Sequence, residues 1–179
     1  MPLKQGDMDG LCGAYSIVNA MRVIRLDKKE ESKDIFKEII AHLSRNRNLR
    51  IIITSGMTIG ILYHIINDLI PRSDFPRSRP FQGVAVTLPQ LWNKIRKFLE
   101  NPVNGTGAVI VGLSGTHEHW TVIKRIDDEN IYLEDSGGIR SLPREEITIK
   151  ETNVNRLRCH QIIPDEVIFI NNPAAKQRP

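Results

Sequence analysis

A thiol, an imidazole and a carboxylate occur in this chain in an order that suits nucleophilic chemistry. Cys12 stands in Gly10-Leu11-Cys12-Gly13-Ala14, while His119 and Asp135 fall far downstream at the ends of two strand-like runs. A cysteine sulfur attacks a carbonyl carbon when a base takes its proton and a third group holds that base in one tautomer. Gln5 adds a side-chain amide whose N–H could donate to the oxyanion that such an attack creates.

Two kinds of element must position these groups. Ala14, Ile17, Val18, Met21 and Ile24 recur at helical spacing with one buried face, which puts Cys12 in the first turn of a helix. Unpaired backbone N–H groups and the positive end of the helix dipole favour a thiolate there. Gly10 and Gly13 flank the sulfur without Cβ atoms, so the turn can be tight and a substrate backbone could approach. Asp7 and Asp9 work against the thiolate unless they point outward or cap the helix. Downstream, His119-Trp120-Thr121-Val122-Ile123 and Ile131-Tyr132-Leu133-Glu134-Asp135 are separated by the polar turn Asp127 to Asn130 and read as a hairpin. Antiparallel pairing sets the start of one strand across from the end of the next, so His119 and Asp135 can meet.

These residues resemble the papain-like cysteine peptidase superfamily, closest to its bacterial leader-peptidase branch and intracellular relatives. The matching pieces are Gln5, the Leu11-Cys12-Gly13-Ala14 helix start, the strand from His119 to Ile123, and Asp135 sixteen positions after His119. The resemblance implies an α+β fold with an N-terminal helical part packed on a C-terminal antiparallel sheet and the active site in the cleft between them. It also implies roles: Cys12 as nucleophile, His119 as base and acid, Asp135 as orienter and Gln5 in the oxyanion hole. The chain departs from the pattern twice. The interval from Gln5 to Cys12 is one residue longer, and Gly13 replaces the aromatic residue that commonly follows the nucleophile.

Each group also has a plainer reading. Cysteine often packs as a small hydrophobe, Asp135 precedes Ser136-Gly137-Gly138 and could serve only the turn, and Gln5 lies where chains are often disordered. His117 competes with His119, two residues apart on one strand face, and borders the cleft or faces solvent if His119 is the base. Cys159 alternates with Leu157 and Gln161 in a late strand and reads as a packed free thiol. His42 and His64 fall on helices with no evident catalytic partner. Cys12, His117, His119, Cys159 and His160 include no Cys-x-x-Cys pair or other compact spacing, which argues against zinc. The expected chemistry needs no cofactor.

Composition frames these expectations. The chain has 179 residues, 40% hydrophobic and 26% charged, which suits one globular domain over 1–172 with a disordered tail over 173–179. With two cysteines and one of them a nucleophile, a reducing, cytoplasmic setting is expected, and signal-less secretion as an effector stays open. No basic segment precedes an apolar signal core, and no window approaches about 18 uninterrupted apolar residues, so no membrane association is expected. Twenty-five basic against 21 acidic residues give a net charge of +4. Basic groups gather at Arg45, Arg47 and Arg50, at Arg72, Arg77 and Arg79, and at Lys94, Arg96 and Lys97, and read as solvated faces. Without stronger basicity and interleaved aromatics, no nucleic-acid partner is expected. The expected partner is a protein or peptide substrate, and the oligomeric state is not legible.

Three further helices follow from Ile35 to Leu43, Ile61 to Leu69 and Leu91 to Leu99, the last with Thr87 and Gln90 spaced as a capping box. Pro71 to Pro80 reads as a loop. Strands are expected over Ala108–Leu113, His119–Ile126, Asn130–Glu134, Arg158–Ile163 and Glu166–Ile170. The reading that unites these features is a cysteine peptidase cutting a peptide or isopeptide bond through an acyl-enzyme. Two alternatives are a glutamine deamidase of toxin type on the same fold and a catalytically silent protein-binding module.

Overall fold

A computed structural model describes residues 10–25, 29–45, 49–101, 105–150 and 153–174. The fold is α+β, with an N-terminal helical part and a C-terminal, mostly antiparallel sheet. Its elements in chain order are α1 (Cys12–Arg25), α2 (Lys29–Arg45), α3 (Leu49–Ser55), α4 (Ile59–Leu69), β1 (Arg77–Ser78), α5 (Leu88–Glu100), β2 (Thr106–Gly115), β3 (His119–Ile126), β4 (Asn130–Leu133), β5 (Ser141–Pro143), β6 (Ile147–Thr148) and β7 (His160–Asn172). Among the described residues, no helix is long and apolar enough to cross a membrane.

The sheet runs β1-β7-β2-β3-β4-β5, with β6 parallel to β7 beside β1's edge. Its centre explains the continuous apolar run in β2, because a strand covered on both faces has no polar side to show. Ala108 and Ile110 enter a core with Val18, Met21 and Leu62 on the α1–α4 side, whereas Val109 and Val111 pack with Leu91, Trp92 and Ile95 of α5 on the other. The first helix is so enclosed that Ala14, Ile17, Val18 and Ile24 have almost no exposed surface. Burial of this kind, at roughly 1.5–3 kcal/mol per large aliphatic side chain, holds α1 in place more firmly than its helix propensity does.

α5 starts as its sequence specifies. The Thr87 hydroxyl accepts from Gln90 N–H, and Thr87 N–H donates to Gln90 Oε1 at 2.8 Å. Trp92 Nε1–H then donates to the Asp127 carbonyl at 2.7 Å and ties the helix to the β3–β4 turn.

Several expectations need correction. The Pro71–Pro80 segment contains β1, which pairs with Phe169 and Ile170 and is anchored by Arg77. That arginine is buried and donates to Asn67 Oδ1 and the Ile70 carbonyl, so it is no part of a solvated basic face. Arg79 donates to the Asp165 carbonyl and Arg96 to Asp128. The two late strands are one, β7, and its ladder with β2 is irregular between Ile162 and Val167. Pro164 sits in that irregularity, where no ladder donor is missed. Of the expected tail, Pro173 and Ala174 form a turn, with Ala174 N–H donating to Asn172 Oδ1, and 175–179 lie outside the described residues.

Candidate active site

Cys12 is the first residue of α1, directly after the Leu11 carbonyl that accepts from Tyr15 N–H. The N-terminal end of the helix is gripped from two sides. Gly10 N–H donates to the Ile53 carbonyl of α3 at 2.9 Å, and Trp120 Nε1–H donates to the Met57 carbonyl at 2.7 Å. The flanking glycines serve this packing and do not leave room for a substrate, contrary to the expectation from sequence. A Cβ on Gly10 would stand 2.4 Å from the Ile52 carbonyl oxygen, and one on Gly13 would stand 2.8 Å from Met57 Sδ.

His119 and Asp135 meet through a register shift. At the turn, β3 and β4 pair Ile126 with Ile131 and Arg125 with Tyr132, but beyond a bulge at Lys124 the pairing is Ile123 with Leu133. Glu134 N–H donates to the Val122 carbonyl at 2.8 Å and carries the shifted register past the end of β4. Asp135 therefore lies across from Thr121, on the same side of the strand as His119 two residues away. Without the extra residue it would oppose Val122, which points into the helical core. The bulge aims the carboxylate, a recurrent use of such irregularities.

The result is a connected set. His119 Nε2 lies 2.7 Å from Asp135 Oδ1, and Asp135 Oδ2 accepts from Ile139 N–H at 3.1 Å. Cys12 and His119 line the same cleft, close enough for the sulfur to act on the imidazole electrostatically, and with Nε2 taken by Asp135 the nitrogen left for sulfur is Nδ1. Burial works to raise the Asp135 carboxyl, yet the hydrogen bond with His119, the His119 charge and Ile139 N–H hold it below the ordinary value. For His119, burial pulls downward, but Asp135 and Cys12 outweigh it and raise the imidazole to about 9. At neutral pH the ring is therefore an imidazolium held by Asp135.

A cleft of about 310 Å³ opens over the sulfur, lined by Cys12, Met57, Gly112, Glu118, His119, Trp120 and Glu166 among others. Burial raises the Glu166 carboxyl, with Arg79 opposing and Asp165 adding to the rise. A larger hollow of about 940 Å³ lies elsewhere, between the start of α5, the β3–β4 turn and Arg144 to Ile147. Its lining includes no cysteine, serine, threonine or histidine. Sequence reasoning missed Glu166 and Met57 as cleft residues; no motif surrounds either. Trp120, next to His119, carried a signal in its indole N–H, which a buried site must satisfy.

The remaining candidates fall elsewhere. Gln5, Asp7 and Asp9 lie outside the described residues. His117 precedes β3 rather than sharing a strand face with His119, and it stacks on His160 with ring centroids 5.4 Å apart. Cys159 lies just ahead of β7, and Leu157 is fully outside any strand at 82% exposure, so the expected alternation is absent. His42 of α2 faces Asp68 of α4 at 3.5 Å, and His64, one turn before Asp68 on α4, lies 3.2 Å from the same carboxylate. No protein-family model, curated protein or solved structure matches this chain.

Proposed function

We propose that the protein is a papain-like cysteine hydrolase that cleaves a peptide or isopeptide bond in the cleft over Cys12. The observation that supports this most is the placement of His119 between a buried carboxylate and a thiol at a helix N-terminus. In this reading the Cys12 proton passes to His119, which becomes the imidazolium, sulfur attacks the scissile carbonyl carbon, a C–S bond forms, and negative charge moves to the carbonyl oxygen. The Cys12 N–H lies in the first turn of α1, among the N–H groups that a helix leaves without an intrahelical acceptor, and is one donor to that oxygen. Gln5 is the second, on the strength of the resemblance.

The His119 imidazolium gives its proton to the amine nitrogen as the C–N bond breaks, which leaves an acyl-enzyme. Water then adds to the acyl carbon while His119 takes a proton from it. The C–S bond breaks, the carboxylate product leaves, and sulfur returns to its starting state. Asp135 keeps Nε2 protonated throughout, so that Nδ1 is the atom that exchanges the proton. Two free cysteines suit a reducing, cytoplasmic compartment.

Alkylation tests the reading before any substrate is known. At pH 6, iodoacetamide should label Cys12 at least about 10-fold faster than Cys159, and His119→Ala should erase the difference. Electrophilic peptide and ubiquitin-like probes, read by intact mass, should then form an adduct on Cys12. Equal slow labelling of both thiols would sink the assignment.

A further inference from the structure

A second thiol, imidazole and carboxylate come together at the start of β7, away from the cleft. β6 and β7 run parallel with Ile147 beside His160 and Thr148 beside Gln161. This register sets the preceding residues, Glu146 and Cys159, next to each other as well. One donor atom from each of Glu146, Cys159 and His160 lies within 4.8 Å of the other two, with His160 Nε2 only 3.7 Å from Glu146 Oε2.

The imidazole at the centre of this group lacks a hydrogen-bonding explanation. His160 is 6% exposed, and its Nδ1 is enclosed without any partner. Nε2 faces Glu146, so the unmet nitrogen is Nδ1, and a buried ring nitrogen without a partner costs stability unless something else binds it. The His117 ring covers it face to face, at an interplanar angle of 7°. The Cys159 backbone is fixed too: its carbonyl accepts from Thr116 N–H at 2.8 Å and from Thr116 Oγ1 at 3.1 Å.

We propose that Glu146, Cys159 and His160 form a binding site for a zinc-class divalent cation. Thiolate, imidazole and carboxylate together are a donor set of intermediate softness, which suits Zn²⁺ or Co²⁺ better than Mg²⁺ or Ca²⁺. Donor separations in tetrahedral zinc are roughly 3.3–3.8 Å, as bond lengths of 2.0–2.3 Å require. The partly exposed Glu146 side chain can close most of the remaining gap by a change of rotamer. On binding, the Cys159 thiol releases its proton to solvent and sulfur takes the vacated charge onto the metal. Water fills the fourth position. The Thr116 bonds link this site to the segment that leads into β3, so an occupied site stiffens the approach to His119.

Cobalt(II) reads the proposal directly, because a thiolate ligand gives a charge-transfer absorption that carboxylate and imidazole do not. The full chain carrying Cys12→Ala is used, which removes the other thiol that could capture metal. One equivalent of Co²⁺ should produce the band, and adding Cys159→Ser should abolish it with an unchanged far-ultraviolet circular dichroism spectrum. Glu146→Gln, on a half-exposed side chain, should keep the fold and weaken Co²⁺ binding at least about 10-fold. It reports independently if Cys159→Ser does not fold. No band in Cys12→Ala at saturating Co²⁺, a band that survives Cys159→Ser, or an unchanged affinity in Glu146→Gln would each overturn the site.

Discussion

Cys12 and Cys159 each lie beside a histidine and a carboxylate, yet the two neighbourhoods treat the imidazole in opposite ways. Asp135 is 1% exposed and holds His119 Nε2 at 2.7 Å, and the imidazole is raised to about 9. Glu146 is partly exposed and 3.7 Å from His160, and there burial, with His117 alongside, lowers the imidazole despite the carboxylate. Residue types alone do not set protonation. A desolvated carboxylate in hydrogen-bonding contact turns histidine into a charged acid, whereas a hydrated and more distant one leaves it a neutral base suited to binding a metal.

The largest expected effect separates the two sites completely. Cys12→Ala should reduce hydrolysis of any identified substrate by about 10⁴-fold or more, comparable to losing a nucleophile elsewhere, and leave cobalt binding unchanged. Cys159→Ser should do the reverse in labelling and spectroscopic assays. Residual turnover in Cys12→Ala would show that the nucleophile is another group.

Asp135→Asn tests whether the carboxylate makes the difference. The folded-state value of His119 lies above its unfolded value of about 6.5, so its charge contributes stability that is complete below pH 6.5 and is lost as pH rises through about 9. Wild-type thermal midpoints should therefore fall across pH 6.5–9, and this part of the slope should disappear in Asp135→Asn. Cys12 labelling between pH 7 and 9 should drop in parallel, by about 10-fold or more. An unchanged pH profile would mean that Asp135 does not charge the ring.

Smaller effects come from two glycines, one behind each thiol. Gly10→Ala pushes a methyl against the Ile52 carbonyl, and Gly115→Ala combines a φ of +90° with a Cβ 2.4 Å from the Cys159 carbonyl. Each should cost about 1–3 kcal/mol in denaturant unfolding. The first should slow Cys12 labelling and the second should weaken cobalt binding; crossed effects would show that the sites are not separable. Smallest is Trp120→Phe, which leaves the Met57 carbonyl unpaired and should cost about 1–2 kcal/mol by the same measurement.

Much of the frame was legible because local signals were strong. The apolar spacing of α1, the capping box of α5 and the β-branched run of β3 all read correctly, and β3 spans His119–Ile126 as expected. α3 was not legible, because Ile51-Ile52-Ile53-Thr54 favours a strand by propensity and only Ile52 is buried. β1, β5 and β6 are two or three residues long, too short to show alternation. At the sites, the residue types Cys12, His119 and Asp135 could be chosen from sequence, but the bulge at Lys124 that aims Asp135 could not. Cys159 and His160 are weighed as zinc ligands and set aside, and their partner Glu146 is missed for a related reason: the spacing is set by a parallel pairing between β6 and β7, which no short sequence window contains.

The position of β7 bears on how the protein is made. Among the described residues it is the last of seven strands in chain order, yet it lies inside the sheet, paired with β1, β2 and β6. At ribosomal rates of 5–20 residues per second, about 8–32 seconds separate the emergence of Cys12 from that of Asn172. During this interval the sulfur has left the ribosome while the sheet that carries His119 still lacks β7. On the proposed reading, the strand order keeps the nascent chain inert, and reactivity arrives only with completed folding.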